Sequence, residues 1–181
     1  MRIISGVHKG RRLQAPKKLP IRPTTDMAKE GLFNFLQHRY HIQEARVLDL
    51  FAGSGNIAYE FASRGAELVT AVDQHNGCIQ YIHKTTKELD LPITPIRSSA
   101  MVYLQKNRYP MDFVFADPPY DFDKDILLQL VESVMNTENP VLAEEGCFIL
   151  EHRPQIDFED APGFFESRKY GSSVFSFFTH P

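Results

Sequence analysis

Apolar and polar positions follow two alternating periods from residue 46 to residue 151. Short apolar runs, typical of buried strands, are followed by segments in which apolar residues recur at helical spacing. The runs lie at 46–51, 67–73, 93–97, 111–116 and 146–151, and the helical segments lie at 56–65, 75–90, 99–107 and 124–136. Strands that alternate with helices indicate βαβ units. We therefore expect an α/β fold whose sheet is mostly parallel and covered by helices on both faces.

The two ends of the chain depart from this alternation. Residues 164–180 form two β-rich runs joined at Gly171, which predicts a hairpin that adds an antiparallel edge to the sheet. Residues 2–16 predict two short strands across a glycine-containing turn. Residues 22–40 predict a helix with Thr24 or Thr25 at its N-cap and Asp26 in its first turn. We expect an N-terminal extension, residues 1–40, followed by one domain, residues 41–181.

The net charge of −3 conceals a strong asymmetry along the chain. Residues 1–29, here called the basic arm, carry a net charge of +7, and the remaining residues carry −10. The charged residues of the basic arm are Arg2, Lys9, Arg11, Arg12, Lys17, Lys18, Arg22 and Lys29, with Asp26 as its one acid. A basic arm on an acidic body suggests that the arm binds a polyanion. The alternative is a solvated tail, but apolar residues interleaved with the charges favour a folded arm.

Composition excludes several classes of protein. With 43% hydrophobic and 24% charged residues the chain is an ordinary globular sequence, and no apolar run approaches the length of a membrane span. The polar start also lacks the apolar stretch of a signal peptide, so we expect a cytoplasmic protein with no membrane partner. Two distant cysteines are too few for a disulfide framework or a metal cluster, and we expect no metal.

A glycine-rich segment, DLFAGSGN, follows the first predicted strand and contains Asp49, Phe51, Gly53 and Gly55. In an open parallel sheet, ligands bind beyond the carboxyl ends of the strands. Asp73 ends the second predicted strand and can therefore accept hydrogen bonds from the ribose of a ligand. The glycine spacing also satisfies the dinucleotide fingerprint, so it leaves the nucleoside open. Asp49, inside an apolar strand, favours a cationic partner such as the aminoacyl ammonium of S-adenosylmethionine, because a pyrophosphate would be repelled there.

The segment FADPPYDF ends the fourth predicted strand on the same rim. Its two prolines hold the backbone stiff, so Asp117 and the carbonyl of Pro118 can accept hydrogen bonds from a purine amine in a fixed geometry. Tyr120, after Pro119, can stack on a base that is unpaired or flipped out of its helix. Glu151, after the fifth strand, borders the same crevice or forms a salt bridge at the strand end. Residues 98–100 lie where an adenine ring is expected.

These motifs carry a resemblance to a known family. LDLFAGSG with FADPPY resembles the Rossmann-like S-adenosylmethionine-dependent amino-methyltransferases, and RIISGVHKGRRL with RPTTDMAKEGLFNFL is similar to the RsmD family of bacterial 16S ribosomal RNA guanine-N2 methyltransferases. The match runs nearly from end to end, and the N-terminal motif is its specific part. Two departures stand out: Phe35 replaces an expected tryptophan, and serines replace the acid that many methyltransferases carry after the third strand.

The resemblance implies a seven-stranded methyltransferase sheet, S-adenosyl-L-methionine as cofactor, and 16S rRNA or the assembled small subunit as partner of a monomer. The implied catalytic residues are Asp117, Pro118, Pro119 and Tyr120. The implied cofactor-binding residues are Asp49, Phe51, Gly53, Gly55, Asp73, Ser99 and Ala100. The implied RNA-binding residues are Arg2, Lys9, Arg11, Arg12, Arg22, Thr24 and Lys29. Three alternatives remain open: an adenine-N6 methyltransferase on DNA or RNA, an NAD-dependent oxidoreductase, and a non-catalytic RNA-binding or ribosome-assembly factor.

Overall fold

The computed structural model describes residues 1–20, 24–107 and 109–180. Its helices are α1 (Asp26–Arg39), α2 (Asn56–Ser63), α3 (Asn76–Leu89), α4 (Ala100–Lys106) and α5 (Lys124–Val134). Its strands are β1 (Arg46–Asp49), β2 (Leu68–Asp73), β3 (Ile93–Arg97), β4 (Met111–Ala116), β5 (Leu142–His152), β6 (Phe164–Tyr170) and β7 (Ser173–Phe178). No helix in the described ranges is both long and apolar enough to cross a membrane.

The seven strands form one sheet in the order β3-β2-β1-β4-β5-β7-β6. Strands β1 to β5 pair in parallel, and β7 pairs antiparallel with both β5 and β6. The predicted α/β class, the mostly parallel seven-stranded sheet and the C-terminal antiparallel hairpin are therefore confirmed. Strand order reverses between β1 and β4, which places the expected ligand crevice at the ends of these two neighbouring strands.

Helices cover both faces of the sheet, as the alternation predicts. Residues of α1, α2 and α3 pack in one hydrophobic core that includes Phe33, Phe61 and Ile82. Residues of α4 and α5 pack in a second core on the opposite face, which includes Leu104 and Leu130. Because α1 shares its core with the central strands, this helix of the N-terminal extension packs against the sheet.

The N-terminal segment folds as predicted at its helix and differs from the prediction at its hairpin. Thr25 is the N-cap of α1, and its hydroxyl accepts a hydrogen bond from the Ala28 N–H. The two short strands predicted for residues 2–16 are reduced to one antiparallel bridge between Arg2 and Arg12. The turn is instead tied to α2: Val7 N–H donates to the Ser63 carbonyl at 2.8 Å, and a Cβ on Gly6 would overlap that carbonyl.

Strand β5 is longer than its apolar run. The sequence predicts a strand over residues 146–151, whereas β5 begins at Leu142. The added residues include exposed Glu144 and Glu145, and Leu142 pairs with Met111 across an irregularity in the register. Exposed acids in a strand break the apolar pattern, so this extension carries no local signal.

Candidate active site

A cleft of about 840 Å³ opens at the carboxyl ends of the central strands. Its walls come from the glycine-rich loop after β1, the ends of β2 and β3, the segment after β4 and the end of β5. The predicted residues on its walls are Asp49, Phe51, Gly53, Asp73, Ser99, Ala100, Asp117, Pro118, Pro119 and Tyr120. The two loops that sequence reasoning paired, at residues 49–55 and 117–120, thus face one shared space.

Gly55 shapes the turn between β1 and α2. It is the N-cap of α2 with φ 84°, a conformation that L side chains rarely adopt. A Cβ at Gly55 would also lie 2.7 Å from the ring of Tyr59, which is fully buried beneath the turn. Gly55 does not line the cleft. It sets the path of the loop, while Gly53, with φ 53°, exposes its backbone to the cleft.

Asp73 fixes this loop from the end of β2. One carboxylate oxygen accepts a hydrogen bond from the Gly53 N–H at 2.8 Å, and the other accepts one from the His75 N–H at 2.7 Å. A carboxylate oxygen has two acceptor sites, so each can accept a further hydrogen bond from a ribose hydroxyl. The carboxylate at Asp73 therefore orders the loop in addition to the ligand contact that its position predicts.

Asp49 is the most unusual ionisable group in the cleft wall. It is 1% exposed, and burial together with the charge of Asp73 raises its pKa to about 8. The backbone N–H groups of Phe51 and Ala58 act in the opposite direction. Its Oδ1 has no hydrogen-bond partner within the described residues. A ligand ammonium at this oxygen would supply the missing partner, and this fits the aminoacyl end of S-adenosylmethionine.

The segment after β4 forms the opposite wall. Pro118 is buried, Asp117 and Tyr120 are half-buried, and Phe122 N–H closes a turn on the Pro119 carbonyl at 3.1 Å. The ring of Phe122 meets that of Phe51 edge to face, with centroids 6.1 Å apart. This aromatic pair joins the two loops across the cleft. Phe122 lines the cleft, and the sequence analysis missed it. The signal that could have identified it is an aromatic residue two positions after Tyr120.

The end of β3 supplies a third wall. Ser98 N–H donates to the Asp73 carbonyl at 3.1 Å, so this segment is tied to the end of β2. Ser99 is the N-cap of α4, and Ala100 is the first residue of that helix. Both residues line the cleft where the adenine of a nucleoside is predicted.

A chain of buried polar contacts connects α1 to the start of α2 and to the end of β5, and sequence reasoning missed it. Lys29 Nζ donates to the Asn56 side-chain oxygen at 2.8 Å, and the Asn56 amide donates to the Thr24 carbonyl at 3.0 Å. The Thr24 hydroxyl then donates to Glu151 Oε2 at 3.1 Å. Thr24, Asn56 and Glu151 all line the cleft. The start of α1, the start of α2 and the end of β5 are thereby held in register.

Burial corrects the prediction that Lys29 contacts RNA. The side chain is 1% exposed, it lies 3.4 Å from Glu60, and it also donates to the Arg2 carbonyl at 2.6 Å. Burial lowers its pKa, which the charge of Glu60 partly offsets. Lys29 therefore has a structural place in the core. Thr24, also predicted to contact RNA, is buried at the cleft wall.

The remaining predicted RNA contacts lie on the surface, with one exception. Arg22 lies outside the described residues. Exposed side chains along residues 1–20 belong to Arg2, Lys9, Arg11, Arg12, Lys17 and Lys18. The segment that carries them runs from the end of α2, where Gly6 docks, to Pro20, which lines the cleft. Lys17 and Lys18 thus lie close in sequence to the cleft residue Pro20, whereas Lys9 follows the turn that docks at the end of α2.

Comparison with solved structures shows the same fold in known proteins. The YhhF protein of Escherichia coli superposes with a TM-score of 0.86 at 28% identity, covering 99% of this chain and 97% of YhhF. A Thermus thermophilus structure, described as a 16S rRNA N2 G1207 methyltransferase with AdoMet and guanosine, has a TM-score of 0.71 at 22% identity. It covers 90% of this chain and 45% of that protein, and at this identity it shows the fold alone.

Sequence comparison identifies the family. The model described as Conserved hypothetical protein 95 matches residues 1–179. Ribosomal RNA small subunit methyltransferase D of Escherichia coli (strain K12) is 34% identical over 165 residues, which cover 90% of this chain and 79% of that protein. YlbH of Bacillus subtilis (strain 168) is 36% identical over 169 residues, which cover 90% of this chain and 88% of YlbH. The chain therefore belongs to the RsmD family of Rossmann-like methyltransferases.

Proposed function

We propose that this chain transfers a methyl group from S-adenosylmethionine to the exocyclic N2 amine of a guanine in 16S ribosomal RNA. The observation that carries the proposal is the shared cleft, in which Asp117 to Tyr120 face the glycine-rich loop and Asp73. The relative named ribosomal RNA small subunit methyltransferase D supports a ribosomal RNA substrate. The family resemblance supports guanine N2 as the methylated atom.

Different residues bind different parts of S-adenosylmethionine. Asp49 holds the ammonium at its buried carboxylate, Gly53 offers its backbone to the methionine part, and Asp73 holds the ribose. Ser99 and Ala100 border the adenine. When bound, S-adenosylmethionine supplies its sulfonium methyl: a C–N bond to the amine forms as the C–S bond breaks, the sulfide leaves, and the amine loses one proton to water.

Asp117 and Pro118 prepare the amine. Its nitrogen is a poor nucleophile because the lone pair is delocalised into the purine ring. When the Asp117 carboxylate and the Pro118 carbonyl accept its two N–H bonds, the lone pair turns out of the ring plane. The buried proline holds both acceptors in place before the base arrives, and Tyr120 stacks on the base face. Asp117 accepts hydrogen bonds only, since the proton leaves after transfer.

The exposed cations of the basic arm bind the RNA backbone. They lie along a segment that runs beside α2, a helix of eight residues and hence about 12 Å long, toward the cleft. Affinity falls as salt rises, and each neutralised phosphate should make the slope of log affinity against log salt steeper by roughly 0.7 to 0.9. Replacing Lys17 and Lys18 with alanine should therefore weaken RNA binding and make this slope shallower. A slope that does not change would remove these two residues from the interface.

The test is methylation of small subunits and of free 16S rRNA from cells that lack this protein. Labelled methyl should enter one guanosine, to be identified as N2-methylguanosine by nucleoside analysis and located by RNA mapping. Asp117→Ala should lower the rate at least about 100-fold, the scale seen when one oriented polar group is removed from an active site. Asp121→Asn, an exposed acid four residues away, is the matched control and should leave the rate unchanged. Methylated adenine, or full activity in Asp117→Ala, would refute the proposal.

A further inference from the structure

We infer that Glu151 selects guanine over adenine-like bases by accepting a hydrogen bond from the guanine N1–H. This inference rests on the proposed function and adds to it the residue that reads the base. It starts from the register between β4 and β5. Ala116, the last residue of β4, pairs with Leu150 of β5, so Asp117 and Glu151 are the next residues along the two chains. Adjacent strands lie about 4.8 Å apart, which makes the two carboxylates neighbours.

Side-chain alternation directs both carboxylates to the same face. Phe115 and Ile149 belong to the core on the α1 and α2 side, whereas Ala116 and Leu150 belong to the opposite core. Since successive residues of a strand alternate between faces, the residues after Ala116 and Leu150 return to the α1 and α2 side. Both Asp117 and Glu151 line the cleft there.

Glu151 is held by a defined contact. It is 3% exposed, and the Thr24 hydroxyl donates to its Oε2 at 3.1 Å. Thr24 is in turn held through Asn56 by Lys29, so the carboxylate is fixed by a buried network and not by solvent. The position of Glu151 and its fixed oxygen suit a group that reads a substrate.

The chemistry of the base edge decides which purine fits two adjacent carboxylates. Guanine presents the N1–H and N2–H donors side by side on its Watson–Crick edge, so one carboxylate can accept from each. Adenine presents its amine next to N1, which is an acceptor, and a carboxylate facing N1 would be repelled. A site built to hydrogen-bond a donor rejects an analogue that presents an acceptor there, because the buried acceptor of the site is left unpaired. Asp117 thus accepts a hydrogen bond from the reacting N2 amine, and Glu151 accepts one from the neighbouring N1–H.

The test uses 2-aminopurine, which keeps the amine of guanine but has an acceptor at N1. 16S rRNA carrying guanosine or 2-aminopurine at the mapped position, made by splinted ligation, is offered both free and assembled into small subunits. We expect the wild-type kcat/KM for guanosine to exceed that for 2-aminopurine about 100-fold. Glu151→Gln, whose amide can donate to N1, should narrow this ratio at least about tenfold and raise the rate on 2-aminopurine. The fluorescence of 2-aminopurine reports base binding independently of methyl transfer.

Two further variants keep the outcome interpretable. Glu145→Gln, an exposed change on the same strand, should leave the ratio unchanged. Thr24→Val removes the contact to Oε2 but keeps the carboxylate. It should slow guanosine methylation and change the ratio of kcat/KM between guanosine and 2-aminopurine less than Glu151→Gln does. This variant replaces Glu151→Gln in the test if Glu151→Gln fails to fold. Equal wild-type rates on guanosine and 2-aminopurine, or an unchanged ratio in Glu151→Gln with guanosine still methylated, would overturn the inference alone. If wild-type protein methylates guanosine in neither substrate, the proposed function itself fails.

Discussion

Replacing Asp49 with asparagine should remove a pH-dependent cost to folding. In the folded protein burial and Asp73 raise the Asp49 pKa from 3.8 to about 8. Between these values the unfolded chain releases a proton that the folded protein retains, so stability falls as pH rises from about 4 to 8. One pKa unit corresponds to about 1.4 kcal/mol, so this single group should cost roughly 4 kcal/mol at pH 7.

Urea unfolding at pH 5, 6 and 7 measures this cost. Across these two pH units the free energy of unfolding of the wild type should fall by roughly 3 kcal/mol relative to Asp49→Asn. Exposed Asp121→Asn should parallel the wild type. Parallel curves for Asp49→Asn and wild type would refute the reasoning, because they would mean that Asp49 is ionised in the folded protein at pH 5 or that its burial is relieved.

Ligand binding should restore the ionised state of Asp49 that burial in the folded protein disfavours. The ammonium of S-adenosylhomocysteine favours the ionised carboxylate, so binding at pH 7 should release close to one proton from a group with a pKa of about 8. Calorimetry in two buffers of different ionisation enthalpy measures the number released, between pH 6 and 7.5 where the ligand amine stays charged. Asp49→Asn should bind more weakly and release none. Binding without proton release in the wild type would contradict an ammonium at this carboxylate.

Three further substitutions test the packing around the cleft by urea unfolding. Gly55→Ala should cost roughly 1–3 kcal/mol more than Gly10→Ala, which has nearly the same positive φ but no described atom within 4 Å of its Cβ; equal losses would contradict the contact with the ring beneath the turn. Gly31→Ala should lose stability instead of gaining the usual ~1 kcal/mol for a helix interior, because its Cβ would overlap a tyrosine ring on β6; a gain would show that the ring moves freely. Lys29→Met should cost about 3–5 kcal/mol, since it removes a partner from a buried carboxylate, whereas exposed Lys84→Met should change stability by less than ~1 kcal/mol. Similar losses in both lysine variants would refute the structural role of Lys29.

The fold and the main cleft residues could be predicted because their signals are local. Apolar runs and helical spacing carry the βαβ order, and the glycines, Asp73 and Asp117 each follow a strand directly, so a parallel sheet brings them to one edge. The C-terminal hairpin was also predicted as an antiparallel edge. The sequence did not predict that β7 lies inside the sheet, between β5 and β6, because strand order depends on packing across the whole sheet.

The contacts that local patterns could not predict join residues far apart in the chain. Glu60 accepts backbone hydrogen bonds from Ile4 and Ser5 and pairs with Lys29 and Arg64, so it ties the basic arm to α2. The count of charges placed Lys29 in the basic arm, and the resemblance to the family's N-terminal motif implied that it contacts RNA. Nothing in the residues around Lys29 distinguishes it from the exposed cations of the arm, because its partners lie across the fold.

Two buried ionisable side chains, Lys29 in the core and Asp49 in the cleft wall, differ in their hydrogen-bond partners, and this difference separates structure from function. The Lys29 ammonium has Glu60, the Asn56 amide and the Arg2 carbonyl around it, so the cost of its burial is partly offset within the protein. Asp49 is equally buried, yet one of its oxygens has no partner in the described ranges and its pKa is raised. A buried group whose partners lie within the fold holds elements together, whereas the ionised form of a buried group that lacks such a partner is stabilised when a ligand supplies the opposite charge. By this criterion Lys29 sets the position of the cleft wall, and Asp49 makes binding at that wall depend on a cation.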